Sequence, residues 1–194
     1  MKPAGKSPLD SLYFQYPSYP FLAPPEMRGE HRKYPVVIVG AGPVGLAAAL
    51  ELARRDIPVV VLDDKATIND GSRAICISRY SFETLQQLGV SARFEEKGLG
   101  WTHGRCYYKT EQIYRLEMPH SENERFYPMY NIQQQYTEKY LADAAIASPN
   151  IEVRWRSKVT GITNQADLAT LNIETPKGNY PLIADHVLAA DGAR

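Results

Sequence analysis

Three glycines and one acid carry the chemistry that this sequence offers. In the stretch YPVVIVGAGPVGLAAALELARRDIPVVVLDD, residues 34–64, Gly40, Gly42 and Gly45 stand at the spacing G-x-G-x-x-G. Asp63 ends the next apolar run about 20 residues on. Each glycine answers a physical need. Gly40 permits a tight turn, Gly42 lets the main chain approach a diphosphate, and Gly45 lets a helix pack close to a strand. A helix opening at Pro43 would aim free N–H groups and roughly half a positive charge at the phosphates. Asp63 would accept from a ribose 2′-hydroxyl and repel a 2′-phosphate, which favours FAD or NAD over NADP as the nucleotide bound. The glycine spacing alone is a weak signal, and a packing turn without ligand is the alternative. The strand–turn–helix context and the acid give it weight.

Such a turn needs a βαβ frame, and the flanking residues supply one. Val36 to Val39 is a β-branched run suited to a strand buried on both faces. Pro43 to Arg55 is Ala/Leu-rich and predicts a helix with Leu46, Leu50 and Ala53 on one face. Pro58 opens VVVL, a second buried strand that ends at Asp63. DDKATINDGSRAICI reads as a loop. Ser78 caps a helix through Leu88, and Gly89 stops it. Between 101 and 130, THGRCYYK, QIYRLEM and RFYPMY predict short strands with aromatic faces. A helix follows over Gln133 to Ala147. IEVRW, KVTGIT, LATLNIET and NYPLIA are strands, with a turn at TPKGN, and HVLAA is a last strand leading into DGAR. This order departs from the regular βα alternation of an NAD-type domain and suits the flavoprotein variant.

Composition narrows the function classes. The 194 residues suffice for one domain, or one domain and part of a second. Lys plus Arg equals Asp plus Glu at 22 each, so charge gives no reason to expect nucleic acid or an anionic membrane. Cys76 and Cys106 show no metal or redox spacing and read as free thiols in a reducing cytosol. His31, His103, His120 and His186 are scattered, so no metal site is expected. No signal-peptide core is present, and the most apolar window is broken by Gly40, Gly42, Pro43 and Gly45, which predicts a cytoplasmic protein without a spanning helix. Residues 1–33 form a Tyr/Pro-rich extended arm. Its Tyr13, Phe14, Tyr16, Tyr19 and Phe21 suit packing on its own domain or on a neighbouring subunit, a homo-oligomer in the second case. PSYP at Pro17 to Pro20 leaves a PxxP ligand as a further option.

With these motifs in place, the chain resembles the FAD-dependent aromatic-ring hydroxylases. These are single-component flavin monooxygenases similar to phenol and p-hydroxybenzoate hydroxylases, and the 3-(3-hydroxyphenyl)propionate hydroxylase-like branch is the nearest in pattern. The resemblance rests on the stretch quoted above, SRAICISRYSFETLQQLG, QQYTEKYLADAA, KVTGI and HVLAADGAR. It implies an α/β fold: a Rossmann-like FAD-binding domain of the glutathione-reductase type, with an inserted β-rich excursion and a β-meander. The arm would be 1–33, the FAD-binding domain 34–100 and 131–194, and the excursion toward a substrate domain 101–130. It implies FAD as cofactor, NADH or NADPH as co-substrate, and a small aromatic substrate with O2 as partners. Gly40, Gly42, Pro43, Val44 and Gly45 would line the pyrophosphate, and Asp63 would hold the adenosine ribose. Arg73 would face the phosphates, or else be a surface arginine beside Asp70. Gln134 would contact the flavin side, with Gln133 and Gln135 as register alternatives. The Val159 backbone would meet adenine, or Val159 is an ordinary strand residue. Asp191 and Gly192 would touch the pyrophosphate region and the path of NAD(P)H.

In this resemblance, NAD(P)H reduces the flavin, and reduced flavin activates oxygen to hydroxylate an electron-rich ring. The protein supplies orientation and a dry pocket. No residue suggests itself as the catalytic group. Trp101, Trp155, Tyr107, Tyr108 and Tyr114 could line an aromatic pocket, but core packing is the more ordinary use. The chain ends at Arg194 inside the Asp-Gly motif, and the family's later Gly-Asp-Ala motif is missing. That pattern predicts a fragment of a larger hydroxylase, with a stand-alone, non-catalytic nucleotide-binding module or another flavin oxidoreductase of the same fold as rivals. On this view FAD binding by these residues alone is weak or absent. The HVLAA strand would also lack later neighbours and expose an apolar edge.

Overall fold

A computed structural model describes residues 13–69 and 74–192. The chain divides into two compact units, Met1–Gly71 with Glu138–Arg194, and Ser72–Thr137. In chain order the elements are a 3-10 turn, Pro25–Arg28; β1, Lys33–Val39; α1, Pro43–Ala53; β2, Val59–Leu62; β3, Cys76–Ser78; α2, Arg79–Gln87; α3, Ser91–Lys97; and β4, Leu99–Trp101. Then come β5, His103–Tyr108; β6, Glu111–Glu117; β7, Met129–Asn131; α4, Gln134–Ala147; β8, Ile151–Arg154; β9, Lys158–Asn164; β10, Ala169–Thr175; and β11, Gly178–Ala189.

The first unit is built on a six-stranded mixed sheet in the order β8-β2-β1-β11-β10-β9. β1 runs parallel to β2 and β11, and β2 runs parallel to β8. β10 is antiparallel to both β11 and β9. Val37, Ile38 and all of Val59–Leu62 are buried. Such β-branched runs have no polar face to offer water, so both sides of the sheet must be covered. On one side α1 packs close, with Gly45 against Ile38. On the other, Val37, Val60 and Leu62 join Leu171, Ile173, Tyr180, Leu182 and Ala184 of the meander in one core.

Two expectations about this unit change. NYPLIA and HVLAA are one strand, β11, whose first half pairs with β10 and whose second half pairs with β1. Polar Asp185 and His186 look like a break in the sequence, but Asp185 is held at 2.7 Å by the Lys33 ammonium. The two neighbours of β11 overlap only near Ala184. Among the described strands His186–Ala189 pair with β1 alone, so the apolar edge expected at HVLAA is present on the β10 side, with Leu188 41% exposed. The buried side of α1 is Gly45, Leu46 and Ala49, while Leu50 and Ala53 are only half-buried. The bare Gly45 is the point of closest approach to the sheet, and the contact face is centred there.

The second unit holds a three-stranded antiparallel sheet, β3-β7-β4, and a separate two-stranded ribbon, β5–β6. Ser78 caps α2, its hydroxyl accepting the Ser81 N–H at 3.3 Å, and Gly89 takes φ 75° just past the end. α3 has no capping side chain, so its start carries no signal in the sequence. Phe82 is fully buried and stacks on Tyr130 at 3.8 Å, with Phe94 edge-on at 6.2 Å. The ribbon differs: Tyr107, Tyr108 and Tyr114 are 54–64% exposed, so they are not core residues. Two strands alone have no face to pack against. Trp155 is buried, and half-buried Trp101 donates its Nε1–H to Asn131 at 2.9 Å. The cysteines are free thiols. Among the described residues, no helix is long and apolar enough to cross a membrane.

Candidate dinucleotide-binding site

The end of β1 turns into α1 under tight constraint. The Gly40 N–H donates to the Leu62 carbonyl at 2.7 Å, and the Ala190 N–H donates to the Val39 carbonyl at 2.8 Å. Gly40 takes φ 107°, and a Cβ there would overlap the Ala190 carbonyl. A Cβ on Gly45 would overlap the Gly40 carbonyl. These two glycines serve the fold. Gly42 is different: its backbone is extended, and a Cβ there would meet nothing within 4 Å. Its bare face opens outward.

Gly42 is also the N-cap of α1, with Pro43 at the first helical position. No side chain caps this end, and no acid lies in the first turn. Helix geometry leaves the Val44 and Gly45 N–H groups without intrahelical partners. The Val44 side chain is 72% exposed and does not close the opening. A positive helix end, an absent side chain and no competing carboxylate in the first turn together fit a diphosphate.

Asp63 stands at the end of β2, and the fold gives it a second task. Its Oδ2 accepts the Ala41 N–H at 2.8 Å, and its Oδ1 accepts the Lys65 N–H at 2.9 Å. One carboxylate thus anchors the glycine turn and leaves further lone pairs for a ribose hydroxyl. Burial raises its pKa above the ordinary 3.8, opposed by the Lys65 and Ala41 amides. For an acid shifted upward, the protonated form favours the fold. Its contribution is full below 3.8 and is lost as pH rises through the folded-state value. A ribose hydroxyl prefers the ionised acceptor, so nucleotide affinity has the opposite slope. We expect affinity to fall on acidification at a pH above 3.8, and Asp63→Asn to flatten that dependence. Titrations from pH 4 to 8 check this, and equal slopes in the two proteins would refute it.

The other expected site residues divide. Asp191 lies beside Gly40, and Gly192 follows with φ 88°. Val159 is on β9, paired with Ile173, two residues past Ser157, whose N–H donates to the Asp63 carbonyl at 2.8 Å. Gln134 opens α4 and belongs to the second unit. Beside it, the buried Gln135 side-chain oxygen has no hydrogen-bond partner. Arg73 and Asp70 lie outside the described residues. Gly40, Gly42, Pro43, Val44, Gly45, Asp63 and Asp191 come together within the first unit.

One contributor escaped the sequence reading. Glu138 on α4 is fully buried and accepts both the backbone N–H and the side-chain amide of Asn69, each at 2.8 Å. It pins the loop that leaves Asp63. Its signal was present: a lone acid in register with Leu141, Ala142 and Ala145, the buried face of the helix. Among the described residues no cluster of His, Cys, Asp and Glu could hold a metal ion.

A family model described as an FAD binding domain matches residues 33–194. Para-nitrophenol 4-monooxygenase of Pseudomonas sp. (strain WBC-3) is 27% identical over 82% of this chain and 40% of its own length. The 3-(3-hydroxy-phenyl)propionate/3-hydroxycinnamic acid hydroxylase 2 of Burkholderia vietnamiensis (strain G4) is 28% identical over 87% of this chain and 31% of its own. The crystal structure of p-nitrophenol 4-monooxygenase PnpA from Pseudomonas putida DLL-E4 superposes with a TM-score of 0.78 at 26% identity, over 85% of this chain and 42% of that one. The chain spans between 31% and 42% of these relatives' lengths.

Proposed function

Since the chain belongs to the FAD binding domain family, we propose that it is the FAD-binding portion of a flavin monooxygenase that hydroxylates a phenolic ring with NADH or NADPH and O2. The observation that carries this reading is the open, uncapped, acid-free start of α1 at Gly42, with Asp63 bonded to the adjoining turn. The similarity to monooxygenases of nitrophenol and hydroxyphenylpropionate supports the substrate class. The glutathione-reductase variant of the fold, the arm 1–33, the divided FAD-binding domain and the excursion 101–130 toward a substrate domain belong to the same proposal. The two free thiols suit a reducing, cytoplasmic setting.

Bound FAD would supply the electron and oxygen chemistry. The residues of this chain bind and orient. The turn Gly40–Gly45 and the first amides of α1 receive the pyrophosphate, and Asp63 accepts from the adenosine ribose. By the family resemblance, Val159 would offer main chain to adenine, Arg73 would serve the phosphates, and Gln134 would serve the flavin side. Asp191 and Gly192 border the pyrophosphate and the nicotinamide path. None of these touches a substrate ring, and no catalytic residue is assigned.

The test has two stages. The purified chain is titrated with FAD and followed by quenching of flavin fluorescence. A longer parent chain is then assayed for NADH and NADPH oxidation with and without a phenol, in air and without oxygen. Weak but saturable uptake by this chain, whose glycine turn, α1 and Asp63 all lie in the first unit, and oxidation by the parent chain stimulated by the phenol only in air, are expected. Uptake without stimulation would replace the proposal with a non-catalytic nucleotide-binding module. Stimulation that persists without oxygen would point to a dehydrogenase of the same fold.

A further inference from the structure

The aromatic arm has no part in the site as described, yet it docks beside it. The Tyr19 ring lies flat on Trp155, with centroids 4.2 Å apart and planes 7° apart. The Tyr19 N–H donates to the Ala66 carbonyl at 2.7 Å. Ala66 lies in the irregular segment that leaves Asp63. That segment is joined on its other side to the end of β8. The Arg156 N–H donates to the Lys65 carbonyl at 2.9 Å, the Ser157 N–H to the Asp63 carbonyl at 2.8 Å, and the Asp63 N–H to the Arg154 carbonyl at 3.1 Å. A single arm residue therefore bridges the two stretches that hold Asp63. A second anchor follows along the arm, where Glu26 pairs with Arg154, the residue before Trp155. The Tyr19 hydroxyl adds nothing to this attachment. It is buried without a hydrogen-bond partner, and burial, with the Asp143 charge, pushes its pKa up to about 12.

We infer that the arm is a positioning element of the FAD site: Tyr19, through Ala66 and Trp155, holds the Asp63–Thr67 segment in the form that presents the Asp63 carboxylate. The inference rests on the FAD reading above. Segment 63–67 has no strand or helix ladder of its own, so each tether removed widens the conformations that Asp63 samples. A nucleotide that needs one of them then binds more weakly. Linkage makes the effect reciprocal, so bound FAD must hold the arm down by the same factor by which the docked arm favours FAD.

The test uses the 194-residue chain. FAD is titrated into wild type, Tyr19→Ala and Tyr19→Phe, well below each protein's melting temperature. Tyr19→Ala, which removes the stacked ring, is expected to weaken binding roughly tenfold, about 1.4 kcal/mol. Tyr19→Phe, which keeps the stack and the backbone bond, is expected to match wild type. In parallel, chymotrypsin cleavage within residues 13–19 of wild type is expected to slow with saturating FAD. A tyrosine with a purely structural role would lower the melting temperature of Tyr19→Ala without moving the FAD constant. Equal affinity in Tyr19→Ala and wild type overturns the inference and leaves the cofactor reading intact. No saturable uptake by wild type overturns both. If Tyr19→Ala does not fold, the wild-type cleavage decides: protection supports the inference, and unchanged or faster cleavage overturns it.

Discussion

Gly42→Ala is expected to leave the chain folded and remove most of its affinity for FAD, whereas Gly45→Ala is expected to damage the fold itself. At Gly42 the backbone is extended, a conformation any residue adopts, and the added methyl would meet no protein atom within 4 Å. The change in stability should stay within about 1 kcal/mol. The same methyl stands where a diphosphate must approach the amides of α1. Two charge-assisted hydrogen bonds lost or lengthened, each worth about 1.5–3 kcal/mol, correspond to a fall in affinity on the order of 100-fold or more. At Gly45 the methyl would run into the Gly40 carbonyl, a main-chain atom held by its own turn. Overpacking of that kind costs about 1–3 kcal/mol, and more where backbone must move. Gly40→Ala adds a left-handed φ to a similar overlap with Ala190 and belongs with Gly45→Ala. Thermal melts and FAD titrations on the three variants separate the roles. A Gly42→Ala protein that binds FAD like wild type would remove the central support of the proposed function.

The glycines and Asp63 were legible because their identity encodes a backbone requirement. A G-x-G-x-x-G turn between a β-branched run and an Ala/Leu helix has few other uses. The division of labour was hidden. Spacing does not say that Gly40 and Gly45 face protein atoms while Gly42 faces open space; that depends on where the Ala190 and Gly40 carbonyls come to rest. Asp63's bond to the Ala41 amide was hidden for the same reason, since backbone donors are not written in side chains. β11 was misread as two strands because the polar pair Asp185–His186 interrupts its apolar pattern, and only the register with Lys33 and Val36 shows it continuous. The aromatic residues of β5 and β6 signalled strands correctly. Alternation says nothing of whether a third strand covers them, and here none of the described strands does. The arm was legible as an extended, aromatic segment, but its anchors Trp155 and Arg154 lie more than a hundred residues away.

Glu26→Ala is expected to destabilise the first unit by about 3 kcal/mol, toward the lower end for breaking a buried ion pair. The pair joins the arm to β8 with both side chains only 3% exposed, and the Arg154 Nη1 lies 3.0 Å from a Glu26 oxygen. The Tyr34 hydroxyl donates to the other Glu26 oxygen at 2.6 Å and accepts from Arg154 at 2.8 Å. Removing Glu26 leaves that hydroxyl without its acceptor and the guanidinium with one carboxylate fewer. Arg154 is not left bare. Burial pulls its pKa down, but hydrogen bonds and charge from Glu152, with Tyr180, more than offset this and hold the guanidinium ionised. That remaining support is why the cost stays below the largest values seen when a buried charge loses its partner. For a domain of this size the loss corresponds to a melting point lowered by roughly 6–12 °C. Glu152→Ala is the control, because Glu152 is 49% exposed and an ion pair that wet contributes about 0–1 kcal/mol. Replacing both partners, Glu26→Met with Arg154→Leu, is expected to recover only part of the loss, since no charge is left to desolvate but the Tyr34 hydroxyl lacks both its partners and Tyr180 loses its bond from Arg154. Equal melting points for Glu26→Ala and Glu152→Ala would mean that water reaches the pair and that the arm is not anchored there.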